Sequence, residues 1–146
     1  MRDKDRYLMV FGTALALAYI TFGALEILAA FGPGRGLLER LFIQGGVMDG
    51  LVLLVIGVVM VFGRREVDGQ TFVLMGMALA VVFMAIYLLL MGSHVLSLLI
   101  FGTEHVEGWA MVDGIRPGIY LGALAAVGVW VWRDRLSLGR LSRAGA

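Results

Sequence analysis

Residues 72–92 read FVLMGMALAVVFMAIYLLLMG, a stretch of 21 positions without a charged side chain. A bilayer core about 30 Å thick is crossed by about 20 predominantly apolar residues in a helix. The helix is required because hydrocarbon offers no partner to an unpaired backbone N–H or C=O group. The stretch therefore predicts a transmembrane helix.

Three more apolar stretches meet the same requirement. They cover residues 7–31, 44–63 and 109–132, and the first stretch at 72–92 can be extended to residue 101. The sequence between them favours turns and loops, at 32–34, 64–69 and 102–108. We therefore predict an all-α integral membrane protein with four transmembrane helices in a single membrane domain that covers 1–146.

The composition of the whole chain agrees with a lipid bilayer as its surroundings. Of the 146 residues, 60% are hydrophobic and only 16% are charged, whereas soluble globular domains carry about 25% charged residues. The mean hydropathy is +0.92. The net charge of +1 gives no reason to expect a nucleic-acid partner. The absence of cysteine excludes disulfides, thiolate metal sites and cysteine nucleophiles.

Lysine and arginine near the helix ends predict the orientation, because such residues are retained on the cytoplasmic side. The N-terminus, the turn at 64–69 and the C-terminal end from Arg133 onward hold nine of the 12 basic residues. The other two loops, with the helix starts beside them, hold only Arg35, Arg40 and Arg116. We therefore predict that both termini are cytoplasmic.

The two halves of the chain match when they are shifted by 64 positions. Residues 12–16 (GTALA) fall on 76–80 (GMALA), and residues 47–50 (VMDG) fall on 111–114 (MVDG) without a gap. We interpret this match as a tandem duplication of a two-helix hairpin, and the alternative is chance among abundant Gly, Ala and Leu. Two hairpins of this kind would be related by an axis along the membrane normal.

The duplication divides the single domain into three parts. These are a first repeat at about 1–64, a second repeat at about 65–133 and a basic cytoplasmic tail at 134–146. The tail follows the last apolar stretch and is interpreted as a topology signal rather than as a specific lipid-binding segment.

Ionisable residues gather near the predicted outer leaflet. They are Glu26 in helix 1, Asp49 at the start of helix 2, His94 at the end of helix 3, and Asp113 and Arg116 at the start of helix 4. Such residues in a membrane usually face a protein interior or water. They form a candidate ion or solute site in which Glu26 pairs with Arg116. The alternative is that the two aspartates only cap helix N-termini, where negative charge is favourable.

Pro117 leaves two possibilities for helix 4. It either opens the helix, where its missing N–H does no harm, or kinks the helix and frees the carbonyl group of Asp113. A kink would let that carbonyl and the carboxylate form an ion site. If Pro117 opens the helix, Asp113 belongs to the loop.

Helix 4 also carries a stripe of small residues at a spacing of four. These residues, called the small-residue stripe below, are Gly114, Gly118, Gly122 and Ala126. Small residues at this spacing let another helix approach closely. The pattern does not say whether the approaching helix belongs to the same chain or to another one.

Neither a metal site nor a cofactor is expected. Residues 104–107 (EHVE), with His94 nearby, provide ligand types, but their spacing fixes no coordination geometry and is typical of an exposed polar loop. The sequence contains no Gly-rich phosphate loop, no nucleophile elbow and no HExxH motif.

Because the loops are too short for a catalytic domain, the function is expected within the membrane or at its surface. We predict an interaction protein, either a homo-oligomer or an accessory subunit that binds other transmembrane helices through the small-residue stripe. The alternative is a carrier or channel for a cation or small solute that uses the acidic residues near the outer leaflet, which requires acidic groups that line a water-filled cavity reaching the membrane midplane. We favour a non-enzymatic role over a third class, a membrane enzyme acting on a lipid or an isoprenoid.

Overall fold

The computed structural model describes residues 2–32, 43, 45–62, 69–101 and 114–133. The four α-helices of these residues are α1 (Arg2–Phe31), α2 (Val47–Phe62), α3 (Gly69–Phe101) and α4 (Pro117–Val131). Asp113, the predicted loop at 102–108 with its EHVE sequence, and the basic tail at 134–146 lie outside the described residues.

Three helices lie where the apolar stretches predict them, and the fourth begins later. α3 ends at Phe101, the later of its two predicted ends, whereas α4 begins at Pro117 and not near residue 109. Proline disfavours a helical backbone at the residue before it. Arg116 is accordingly extended, with φ −121° and ψ 157°, and Pro117 lies in the first turn of α4. Pro117 therefore opens the helix, and the kink is wrong.

Two of the helices are long enough to cross a bilayer. The apolar stretches are Asp5–Phe31 in α1 and Gly69–Ile100 in α3. α2 and α4 have 16 and 15 residues, about 24 and 22 Å of helix at 1.5 Å per residue. Since the hydrocarbon core is about 30 Å thick, four complete transmembrane spans remain a prediction.

The helices pack as two antiparallel hairpins side by side. α1 packs mainly against α2 and α3 mainly against α4, with smaller contacts between α2 and α3 and between α1 and α4. Ring contacts with centroid separations of 5.6 Å join Phe22 to Tyr120 and Phe11 to Trp132. The start of α4 therefore lies beside the end of α1, next to the start of α2.

The buried core between the hairpins consists of side chains from all four helices. Its members are Leu8, Leu15, Ala16, Tyr19, Leu53, Ile56, Met60, Val73, Leu74, Met77, Ala80, Leu121 and Ala125. Apart from the hydroxyl group of Tyr19, these side chains carry no hydrogen-bonding groups. Dispersion contacts between them hold the centre of the bundle together.

Each hairpin contains a close approach between a glycine and a carbonyl group of the neighbouring helix. A Cβ atom on Gly57 would lie 2.9 Å from the carbonyl oxygen of Ala16, and one on Gly122 would lie 3.2 Å from that of Ala80. The two alanines are 64 residues apart and the two glycines are 65 apart. The duplication itself stays a prediction, because Asp113, its partner position for Asp49, is not among the described residues.

Candidate functional site

Glu26 is the buried acidic residue of the bundle among the described residues, with 1% of its surface exposed. Its Oε2 atom accepts hydrogen bonds from the backbone N–H groups of Gly45, at 2.9 Å, and Gly46, at 3.1 Å. Its Oε1 atom is buried and has no hydrogen-bond partner in the described part of the chain. One carboxylate oxygen of α1 is therefore occupied by the start of α2, and the other is not.

The local backbone explains why Glu26 meets this turn. The N–H of Gly50 donates to the carbonyl group of Gly46, so Gly46 is the N-terminal cap of α2. Gly45 has φ +77°, a left-handed conformation that L side chains rarely adopt. The first N–H groups of a helix have no partner within it and carry partial positive charge. Glu26 supplies the acceptor that neither glycine has in its own side chain.

A cluster of three polar side chains joins the two hairpins at the same end of the bundle. Asp49, in the first turn of α2, accepts a hydrogen bond from the hydroxyl group of Tyr87 at 2.8 Å through Oδ1. Its Oδ2 atom accepts from Nη1 of Arg116, which directly precedes α4. The guanidinium carbon of Arg116 also lies 6.0 Å from the centre of the Tyr87 ring. We call Asp49, Tyr87 and Arg116 the polar bridge.

The polar bridge brings Asp49 and Arg116 of the predicted cluster together, with a pairing that differs from the expected one. The expected pair between Glu26 and Arg116 is wrong, because Arg116 donates to Asp49. Asp49 uses both carboxylate oxygens, one on Tyr87 of α3 and one on Arg116 directly before α4, so it is more than a helix cap. Glu26 still lies close to the helix end that carries Asp49, since it accepts a hydrogen bond from Gly46, the cap of α2, and Asp49 lies in the first turn of α2.

His94 is placed differently from the prediction, and Asp113 lies outside the described residues. α3 does not end at His94 but continues to Phe101. His94 is exposed, and its Nδ1 atom lies 2.8 Å from the carbonyl oxygen of Leu90 in its own helix. It follows Tyr87 by seven residues, about 10 Å along the helix. It is therefore about two turns away from the polar bridge.

The small-residue stripe packs inside the chain. A Cβ atom on Gly118 would lie 2.5 Å from Cε2 of Tyr87, and one on Gly122 would collide with Met84 of α3. Both glycines are buried, whereas Gly114 and Ala126 are half-buried at the stripe's ends. The stripe thus lets α4 approach α3 of the same chain and brings Arg116 close to Tyr87.

Two tyrosines, one in the polar bridge and one in the buried core, were not identified by the sequence analysis. Tyr87 carries the hydroxyl group of the polar bridge, and Tyr19 is a buried core residue whose Oη atom has no partner among the described residues. The sequence could have identified Tyr87, because it is the one hydrogen-bonding side chain in residues 72–92. Tyr19 shares the apolar part of α1 with Thr13 and Thr21, so the sequence does not single it out in this way.

The described residues form four packed helices, two of them apolar and long enough to cross a bilayer, as expected for a helical integral membrane domain. Comparison with family models agrees, since the MJ0565 integral membrane domain matches residues 2–134. The chain belongs to that family, and lipid surrounds it. Searches of curated proteins and of solved structures find no match to the chain.

Proposed function

We propose that this membrane domain is a carrier or channel that binds a proton or a small monovalent cation at Glu26. The observation that supports the proposal most strongly is the state of the Glu26 carboxylate. Its side chain is 1% exposed, and its Oε1 atom has no hydrogen-bond partner within the described residues. Both backbone bonds from the start of α2 go to Oε2.

The electrostatics of the site favour a positively charged ligand. An ionised carboxylate in a low-dielectric interior costs several kcal/mol unless it is paired. The N-terminus of α2 offsets part of that cost, since a helix N-terminus carries about half of a positive charge. Arg116, the expected partner, donates to Asp49. A proton or one monovalent cation at Oε1 would neutralise the remaining charge.

Tyr19 extends the polar face of α1 toward the middle of the membrane. It precedes Glu26 by seven residues, about 10 Å and two helical turns, so both side chains lie on one face. Both are buried, and each has a polar atom without a partner in the described part of the chain. Polar groups inside a membrane typically mark ion or substrate pathways. This arrangement favours transport over a purely apolar packing core.

The packing of α4 weakens the interaction-protein hypothesis. That hypothesis rested on the small-residue stripe as a surface for another chain, and Gly118 and Gly122 face Tyr87 and Met84 instead. A different surface supports it as the second candidate function. The last part of α3 continues for 14 residues beyond Tyr87 and exposes Leu89, Leu96 and Leu99. An accessory or oligomerising role would use that part of α3.

The experiment uses a hydrophobic carbodiimide, which adds to a protonated carboxyl group and leaves a stable adduct that peptide mass spectrometry locates. The purified full chain in detergent is treated at a series of pH values. We expect modification of Glu26 that decreases as the pH rises. Addition of NaCl, LiCl or KCl, compared with choline chloride at equal ionic strength, should slow the modification and release protons into a weakly buffered solution.

Two variants make the readout specific. Glu26→Gln should abolish both the adduct and the cation-dependent proton release, whereas Asp5→Asn, at the opposite end of the same helix, should retain both. The proposal is wrong if Glu26 is unmodified at every pH, or if its modification responds neither to pH nor to any of the three cations. Unchanged proton release in Glu26→Gln would also contradict it.

A further inference from the structure

An apolar groove runs along the outer surface of the bundle between α2 and α3. Its volume is about 300 Å³, and it is lined by Met48, Leu51, Val52, Val55 and Phe83. The volume lies at the lower end of the range for small-molecule sites, which is about 300–1,000 Å³. The four α2 residues lie on one stripe of the helix, because their spacing follows three and four residues.

The groove adjoins the polar bridge at one end. Phe83 lies one helical turn before Tyr87 on the same face of α3, and Val52 lies one turn after Asp49 on α2. The hydrogen bond between Tyr87 and Asp49 therefore lies within one helical turn of the groove residues, at the level where α2 begins. An apolar groove next to paired charges has the amphipathic form of a membrane lipid.

We propose that the groove and the polar bridge bind one zwitterionic phospholipid. One acyl chain occupies the groove, the phosphate contacts Arg116, and the primary ammonium group contacts Asp49. The arginine side chain is 36% exposed and the aspartate side chain 23%, so both charged groups are partly accessible. Arginine has five N–H donors in a planar fork, so it can hold Asp49 and a phosphate together.

Charge complementarity selects the headgroup. The Asp49 and Arg116 pair carries no net charge, so a lipid with one positive and one negative group matches it. An anionic headgroup would place its unmatched charge beside the Asp49 carboxylate, where like charges repel. A choline headgroup carries the positive charge but offers no N–H donor to Asp49. The structure therefore favours an ethanolamine-type headgroup. The site is separate from the carboxylate site at Glu26.

The test is native mass spectrometry of the full chain in detergent, with phosphatidylethanolamine, phosphatidylcholine or phosphatidylglycerol added separately. We expect one phosphatidylethanolamine to be retained per chain, with an affinity about tenfold or more above that of the other two lipids. Arg116→Gln should remove this headgroup preference. Retention of phosphatidylglycerol at the same affinity in the unmodified chain overturns the proposal.

A matched pair of substitutions tests the groove itself. Val55→Trp fills the groove at a position that is 54% exposed, and Val127→Trp places the same side chain at a position on α4 that is 56% exposed. Val55→Trp should lower lipid retention about tenfold while Val127→Trp leaves it unchanged. Equal retention in the two variants overturns the proposal. So does a loss of oligomer mass in Val55→Trp with lipid retention intact, because the groove would then hold a helix of another chain.

Discussion

Glu26 has a structural role and, in our proposal, a chemical role as well. As an acceptor for Gly45 and Gly46, it completes the N-terminus of α2 from a neighbouring helix. This contact explains how an acidic residue can lie within a continuous apolar run of α1. The same burial leaves Oε1 without a partner in the described residues. The structural role depends on an acceptor oxygen, whereas the proposed chemical role depends on a carboxylate that can exchange a proton.

The first prediction separates these two roles at the residue scale. Glu26→Gln keeps an acceptor oxygen for the two N–H groups, so its free energy of unfolding should stay close to that of the unmodified chain. Glu26→Leu leaves both partly buried N–H groups without this acceptor, which should lower the free energy of unfolding by about 1–3 kcal/mol. Equilibrium unfolding in mixed micelles measures both values.

Thr21→Val is the control for that measurement. The hydroxyl group of Thr21 is exposed and donates to the carbonyl group of Leu17 in its own helix, so the substitution should have little effect on stability. Equal stability of Glu26→Leu and Glu26→Gln would show that the contact with Gly45 and Gly46 contributes nothing to the fold.

At the scale of the element, Pro117 and the small-residue stripe together determine how α4 meets α3. Pro117 opens α4 and leaves Arg116 in an extended conformation beside the start of α2. Gly118 and Gly122 then allow α4 to lie against Tyr87 and Met84. Packing in a membrane has little hydrophobic drive and depends on close van der Waals contact, so this approach matters for stability.

The second prediction concerns Gly122→Leu. The added side chain would collide with Met84, and overpacking of this kind costs about 1–3 kcal/mol. Because the stripe joins helices of one chain, the melting temperature should fall while the mass of the detergent-solubilised protein stays constant. Light scattering combined with thermal unfolding measures both quantities.

Ala123→Leu provides the control on the neighbouring, exposed position of α4. It should change the melting temperature only slightly, since its side chain meets no other helix of the described bundle. A lower mass in Gly122→Leu with an unchanged melting temperature would place the stripe between chains and restore the interaction-protein hypothesis. Equal changes of mass and melting temperature in the two variants would show that the stripe has no special role in helix packing.

On the scale of the whole molecule, the polar groups of the described residues separate along the bundle. Glu26 and the polar bridge lie where α2 and α4 begin. Tyr7, at the opposite end of the bundle, and Trp130, near the end of α4, are exposed, as expected for aromatic residues at a membrane interface. The nine basic residues of the termini and the turn at 64–69 predict that this opposite end faces the cytoplasm.

The third prediction tests that orientation with single cysteines in a chain that has none of its own. Cysteines at Ser137 and Ser142 should be shielded from an impermeant thiol reagent applied to intact cells. A cysteine at Thr103 should react, because the loop at 102–108 is predicted to lie outside. Permeabilised cells provide the control in which all three positions react. Labelling of Ser142 without labelling of Thr103 would invert the orientation.

The sequence alone determined the class of the fold and most helix positions. Long uncharged stretches must become helices in lipid, because each backbone group has to find its partner within a few residues of the same chain. This requirement is local, so residues 72–92 indicate it directly. Pro117 also carried local information, since proline restricts its own backbone and that of Arg116. The sequence left open whether it opens the helix or kinks it.

Only the tertiary structure decided which partner each polar group takes. Arg116 and Asp49 are 67 residues apart, and their pairing depends on how far α4 can approach α3 and α2. Glu26 binds backbone N–H groups of Gly45 and Gly46, which no side-chain pattern reveals. Tyr87 enters the polar bridge because α3 turns that face toward α2. Helix rotation and helix contact fix these choices, and both arise from the packing of the whole bundle rather than from any one stretch of sequence.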